Sequence, residues 1–234
     1  SELIVVVTKT FKKHLIKYGV NKDKILIIEN GFNFERALKP NEDANIVKKK
    51  YNIKNNRFTV SYIGTIGKSH GIEIMLETAK LVKDINFLII GDGAQKKTLV
   101  KNAKDRKIQN VIFIDNICWQ EIVNINQIIS ANIIHLRKLE LFKTVIPSKL
   151  FESMALQKPI LAGLIGESLE IIKKSNSGLQ FIPENASSLA TEVLKLKNDP
   201  KLRNELAMNG ALTVNKKYNR KVLASKMIKE IEKL

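Results

Sequence analysis

The stretch from 145 to 160, VIPSKLFESMALQKPI, places a serine, a lysine and a glutamate in the first turn and a half of a predicted helix. If residues 148–156 are helical, Ser148, Lys149 and Glu152 share one neighbourhood through the i, i+3 and i+4 relation. A carboxylate there accepts two hydrogen bonds from a vicinal diol such as a ribose. The lysine and the free N–H groups of the first turn favour an anion. Each residue also has an ordinary reading: Ser148 as an N-cap just after Pro147, and Glu152 as the ion-pair partner of Lys149 or a solvent-facing charge.

A second group lies in YIGTIGKSHG, residues 62–71. Gly64, Gly67 and Gly71 permit close backbone approach. Thr65, Lys68 and His70 surround them, and the lysine and histidine add side-chain donors, so the turn suits a phosphate or diphosphate. The spacing is not that of a G-x-x-x-x-G-K-[ST] loop, and a plain tight turn is the equal alternative. In GDG (91–93), Asp92 is read as shaping a turn. In DNICWQ (115–120), Cys118 and Trp119 are candidates for a wall against a nucleobase, with core or rim placement as the ordinary reading of the tryptophan. Arg137 and Lys138 stand at a predicted strand end. Gly166, before Glu167 and Glu170, again offers close approach at a helix start. No H-E-x-x-H, Asp-rich loop or Ser-His-Asp order is present, so no metal and no cofactor is assigned; His14 and His135 read as structural.

These residues need a frame that gathers strand ends. Apolar runs alternate with amphipathic stretches almost throughout. Predicted strands cover 3–8, 24–31, 58–64, 85–93, 110–115, 132–138, 158–164 and 178–182. Predicted helices cover 9–19, 71–83, 94–107, 119–131, 148–156, 167–176, 186–199, 200–218 and 219–234, with a helical piece, ANIVKKKYNI, inside a polar segment at 35–56. This alternation means βαβ units, and hence an α/β fold with a Rossmann-like parallel sheet covered by helices on both faces. In such sheets ligands bind at the carboxyl ends of the strands, which is where the candidate residues fall.

Composition narrows the classes. The chain has 234 residues, 44% of them hydrophobic, and a single cysteine. No internal disulfide and no cysteine cluster for zinc can form, which fits a cytoplasmic setting. No run of about 18 apolar residues marks a membrane span, and no signal peptide is evident. The net charge is +17. It has three readings: a nucleic-acid surface, attraction to an anionic membrane leaflet, or a lysine-rich compositional bias. The basic residues are dispersed and aromatics are few, which argues against nucleic acid.

The quoted segments together resemble the retaining glycosyltransferases of the large nucleotide-sugar family with the GT-B fold. VVVTKTFKKHLIKYGVNKDKILIIENGFN resembles the end of that family's first Rossmann domain, and VSYIGTIGKSHGIEIMLETAK the opening of its second. FLIIGDGAQKKTL and NVIFID resemble the next two strands, IPSKLFESMALQKPILAG the signature helix, and NDPKLRNELAMNGALTVNKKYNRKVLASKM the C-terminal end. HG and PSKLFE look closest to the aminosugar-transferring branch of O-antigen and capsule assembly.

The resemblance implies roles. Gly64, Thr65 and Gly67 with Lys68 or His70 would hold the diphosphate of a nucleotide sugar, with UDP-linked donors the first choice. Glu152 would hold the ribose hydroxyls. The N–H groups of Ser148 to Leu150 would face the phosphates, with Lys149 adding charge and, with Lys68 and His70, stabilising the leaving group. Cys118 and its neighbours would sit by the base; Arg137, Gly166 and Glu170 complete the donor site. Three positions depart from the pattern: Thr144 replaces the first glutamate of a Glu-seven-residues-Glu pair, Thr65 replaces an arginine, and His70 replaces a lysine. These changes point to altered specificity or lost activity.

The implied organisation is the tail of an acceptor-binding domain at 1–35, a linker at 36–57, a donor-binding domain at 58–218, and a helix at 219–234 returning toward the first domain. The acceptor, a glycan or lipid-linked sugar, would then be bound by a domain preceding this chain, with an anionic membrane surface as a further partner. A non-catalytic nucleotide-sugar-binding subunit, a sugar-nucleotide epimerase and a basic nucleic-acid binder are the competing readings.

Overall fold

The run NFLII shows how the sheet is built. Asn86–Ile90 is buried at every position. Phe87 and Ile89 point into one core, while Leu88 and Ile90 point into another. A strand buried on both faces reads as a continuous apolar run rather than an alternating one. The computed structural model describes residues 1–36, 39–54 and 57–233.

Two sheets result, both parallel. The small one pairs β1 (Ile4–Val6) with β2 (Ile25–Ile27) across α1 (Lys9–Lys17). The large one contains β3 (Thr59–Ile63), β4 (Asn86–Ile90), β5 (Val111–Ile114), β6 (Ala131–His135), β7 (Ile160–Gly163) and β8 (Gly178–Gln180), in the order β5-β4-β3-β6-β7-β8. The order reverses between β3 and β6, so the chain diverges there to opposite halves of the sheet. That divergence opens a crevice at the strand carboxyl ends.

Helices cover both faces. α3 (Glu73–Leu81), α4 (Lys96–Asp105) and α8 (Ala186–Asn198) share a core with β3, β4 and β6. On the other face, α6 (Ser148–Ala155), α7 (Glu167–Ser175) and α9 (Pro200–Lys217) pack on β6 and β7. α2 (Ala44–Lys50) and α5 (Trp119–Asn126) pack on β4 and β5. The helical piece expected inside a linker is therefore part of the main body: Val47 is fully buried, and the Tyr51 hydroxyl donates to Glu121 at 2.6 Å. Residues 37–38 and 55–56 of the expected linker lie outside the described residues.

The last helix, α10 (Arg220–Ile231), leaves the main body and meets the first unit. Phe32 N–H donates to the Tyr218 carbonyl at 2.8 Å, Arg220 N–H to the Phe32 carbonyl at 3.0 Å, and Lys226 Nζ to the Ile27 carbonyl at 3.1 Å. The Glu167 carboxylate accepts from the N–H groups of Lys9 and Thr10 at 2.9 and 2.6 Å, capping α1 from the main body. Val5, Val7, Phe11, Tyr18 and, on α10, Val222 and Ile228 keep large apolar surfaces in solvent.

Candidate functional site

A cleft of about 300 Å³ opens at the carboxyl ends of β3, β4 and β5, facing the start of α6. Gly64, Thr65 and His70 line it from the β3 side, and Asn116, Ile117 and Trp119 from beyond β5. Ser148, Lys149 and Glu152 line it from α6, and Arg36 closes one edge. The two groups singled out in the sequence, some eighty residues apart, thus face one another.

α6 is held at the divergence point by a buried polar chain. Ser61 on β3 donates to Asn132 Oδ1 at 2.5 Å, and Asn132 Nδ2 donates to Ser153 Oγ at 3.1 Å. The chain joins β3, β6 and α6, and so sets where Lys149 and Glu152 stand. The expected capping role of Ser148 is corrected. Pro147, with φ −65° and ψ 134°, occupies the N-cap position and Ser148 is already helical, so its hydroxyl does not reach back to cap. The Leu150 N–H donates to the Pro147 carbonyl at 3.1 Å and its side chain is fully buried, which removes Leu150 from the phosphate-facing set. Ser148 and Lys149 keep first-turn N–H groups without intrahelical acceptors, as helix starts do.

The Lys149 ammonium does not pair with Glu152. It donates to the Tyr62 hydroxyl at 2.7 Å, stands 4.0 Å from the Tyr62 ring centre, and lies 3.1 Å from where a β-carbon on Gly64 would be. Tyr62 in turn donates to the Thr65 carbonyl at 2.6 Å. Burial pushes Lys149 down to about 8, against a smaller opposing pull from Glu152. The site therefore holds a desolvated cation above a glycine turn, with an unfilled demand for negative charge.

The surroundings of His70 oppose a charge on its ring. Burial first, and the Lys149 charge second, push it down to about 4, so the imidazole is neutral at pH 7. Its Nδ1 is buried without a partner among the described residues. His70 remains in the cleft, offering a neutral hydrogen bond rather than a charge.

The turn carrying these groups hangs from β6. Arg137 N–H donates to the Ser69 carbonyl at 3.0 Å, and its guanidinium to the Lys68 carbonyl at 2.8 Å, to Glu184 at 2.8 Å and to Glu73. Glu184 N–H donates to His135 Nε2 at 3.0 Å, so the other ring nitrogen carries the proton and donates to the His70 carbonyl at 2.7 Å. Arg137, assigned to the donor by sequence, is spent on this clamp. Lys68 is exposed and Gly67 begins the short 3-10 turn beside it; neither lines the cleft. The β4 turn supports the same loop from below: Gly91, at φ +139°, would put a β-carbon 2.1 Å from the Gly64 carbonyl oxygen. Asp92 shapes its turn as expected, accepting from Gly93 N–H at 2.7 Å.

Three other candidates fall elsewhere. Cys118 is exposed, at the N-cap of α5, outside the cleft lining. Gly166, at φ +70°, would place a β-carbon 2.2 Å from the Lys143 carbonyl, so it accommodates the 140–144 turn and not a ligand. Glu170 pairs with Lys174 at 3.3 Å and lines a separate small hollow with Lys9 and Tyr218. Conversely, sequence reasoning missed Tyr62, which read only as an apolar strand position, and Arg36. The Arg36 guanidinium lies 4.3 Å over the Trp119 ring, and its carbonyl accepts from the indole N–H at 2.5 Å. Tyr62 had an audible signal, a hydroxyl next to a glycine turn; Arg36 had none.

Residues 43–213 match the model of the glycosyl transferases group 1 family. This chain belongs to that family. An uncharacterized glycosyltransferase of Methanocaldococcus jannaschii is 26% identical over 244 residues, covering 100% of this chain and 59% of its own. The capsular polysaccharide biosynthesis glycosyltransferase CapM of Staphylococcus aureus is 21% identical over 232 residues, covering 94% of this chain and 58% of its own. The chain thus spans less than two thirds of these relatives. Anabaena HepE, solved in complex with UDP, superposes with a TM-score of 0.86 at 15% identity, over 100% of this chain and 64% of its own. The fold is that of GT-B glycosyltransferases.

Proposed function

We propose that the cleft binds a nucleoside-diphosphate sugar, UDP-linked, as the donor half of a retaining glycosyltransferase. The observation that carries this reading is the pairing of Glu152 with the α6 start and Lys149, one helical turn apart, across from the Gly64 turn. Glu152 takes the ribose diol, and the Ser148 and Lys149 N–H groups with the Lys149 ammonium take the diphosphate. Trp119 and Ile117 flank the base. In transfer, the bond from the anomeric carbon to the phosphate oxygen breaks and one to an acceptor oxygen forms, with the acceptor's proton leaving to solvent or to the diphosphate. Lys149 and the helix start meet the charge that develops on the leaving phosphate; the neutral His70 donates or accepts one hydrogen bond beside it. No cofactor enters this scheme.

The acceptor, a glycan or lipid-linked sugar, would meet this cleft from a domain outside the chain. CapM of Staphylococcus aureus, a capsule enzyme by name, supports a polysaccharide acceptor; the aminosugar branch rests on HG and PSKLFE alone. UDP in HepE supports the choice of base. Thr144 favours a second reading, binding without transfer: its hydroxyl is occupied by the Leu141 carbonyl at 2.8 Å, where the family pattern has a glutamate. Calorimetric titration with UDP, GDP and their sugar conjugates tests the first reading. UDP binding that Glu152→Ala abolishes is the expected result, and equal binding by that variant overturns it.

A further inference from the structure

The largest hollow described is at the other end of the sheet. It measures about 550 Å³ and lies at the amino ends of β3, β4 and β5. Lys54, Arg57, Lys80, Lys83, Arg106 and Lys107 line it, with no carboxylate among the lining residues. A strand of five residues separates it from the cleft, roughly 15 Å at the usual rise. It shares no residue with the cleft.

Basic residues collect at helix C-termini for an ordinary reason, since they satisfy the last carbonyls and the dipole. Here several carbonyls at and just beyond the two helix ends already have partners. Asn110 Nδ2 lies 3.0, 3.1 and 3.0 Å from the carbonyls of Ala79, Val82 and Ile85, closing the end of α3. At the end of α4, the N–H groups of Arg106, Lys107 and Ile108 donate to the carbonyls of Asn102, Lys104 and Ala103. Among the described residues, Arg57 alone of the six cations reaches a carbonyl at this end of α3, that of Lys83 just past the helix at 3.0 Å. The bordering carboxylates are also taken: Glu77 by Arg106 at 2.6 Å, and Asp84 by Lys197. Among the described residues, Lys54, Arg57, Lys80, Lys83 and Lys107 are left outside any ion pair, and only Arg106 is matched, by Glu77.

The floor is rigid and the walls are cationic. Asn110 is buried, and Asn86 Nδ2 donates to the Lys54 carbonyl at 3.1 Å, fixing the segment that carries Lys54. Gathering five unpaired cations around a concavity is unfavourable until an anion enters, and a single phosphate leaves most of them unmatched. We infer that this hollow binds a compact chain of phosphates, free or carried on a small molecule, at a site separate from the donor cleft. Its concavity suits a compact anion better than a flat leaflet. Docking a bilayer here would also turn the cleft away from the membrane. The inference stands whether or not the cleft binds UDP.

The test is calorimetric titration of the whole chain with sodium tripolyphosphate at physiological salt. Its variants are Lys80→Gln/Lys83→Gln/Lys107→Gln and, for the cleft, Lys149→Ala. With the cleft filled by saturating UDP, one saturable site is expected, weakened about tenfold or more by the triple variant; in Lys149→Ala the same site is kept. UDP binding should be unchanged by the triple variant, so failure of the hollow and failure of the cleft are read separately. ATP in place of tripolyphosphate tells a free chain from a carried one, and binding of either supports the site. Three results overturn it: no saturable binding, binding lost with Lys149→Ala and kept by the triple variant, or binding confined to anionic vesicles or random duplex. Circular dichroism of the triple variant, whose changed residues are all exposed, confirms that it is folded.

Discussion

The two ends of the large sheet handle charge in opposite ways. At the carboxyl ends, one lysine is desolvated, pinned to Tyr62 and shifted down to about 8, beside a histidine that stays neutral. At the amino ends, six cations stand around an open hollow and most lean into solvent. A buried, positioned charge acts strongly because little water screens it. An exposed cluster acts by number and loses strength with salt. The cleft is thus built for selecting a geometry, and the hollow for attracting a charge.

The largest way to break this contrast is to unseat the cleft without touching its charges. Gly91→Ala forces a β-carbon onto the Gly64 carbonyl at a positive φ. It should cost about 3 kcal/mol of stability, read as a lower urea midpoint. Next, Lys149→Ala should weaken UDP binding by roughly thirtyfold, on the order of 2 kcal/mol. Its Tm should stay close to the parent's, because Tyr62 keeps its bond to Thr65.

The two ends should also answer pH differently. Lys149 is charged below about 8 and neutral above it. UDP affinity should therefore fall as pH rises past that point, by up to about tenfold per unit, while tripolyphosphate binding at the hollow holds. Stability should move the other way. The folded chain gives up the Lys149 proton at about 8, whereas the unfolded chain keeps it to the ordinary lysine value of 10.5. The unfolded state then binds more protons, so stability rises with pH across that window. Lys158, also pushed down to about 8 by burial, adds to the same slope. The difference between parent and Lys149→Met denaturation curves isolates the cleft's share. The smallest effect is expected from Arg137→Met: about 1 kcal/mol of stability, since its ion pairs are partly exposed, with a modest rise in the Kd for UDP as the 64–71 turn loosens.

The alternation of strands and helices was legible because each strand is a short apolar run closed by a glycine or polar turn, as NFLII followed by GDG shows. Boundaries moved by several residues in places, as at β6, where the pattern ran to Lys138 and the strand ends three residues earlier at His135. The core of the site was legible where chemistry and helix position coincided, at Lys149 and Glu152. It was illegible where the partner comes from another element. Nothing local to Arg137 shows that Glu73 and Glu184 will claim it, and nothing local to Gly166 shows that Lys143 will press against it. Nothing local to His70 shows that its imidazole stays neutral, because its burial, and the ammonium facing it, are properties of the fold.

The junction between β3 and β6 also sets a clock. Ser61 and Asn132, bonded at the centre of the sheet, are 71 residues apart. A ribosome adding about 5–20 residues per second takes on the order of four to fourteen seconds to span that gap. During that interval β3, β4 and β5 have been made, while the inner edge of β3 waits unpaired for β6. Such an edge invites other chains. The crevice that defines the site thus cannot form until β6 and α6 have been made, and nascent chains halted before residue 131 should be markedly more sensitive to protease than those halted after β7.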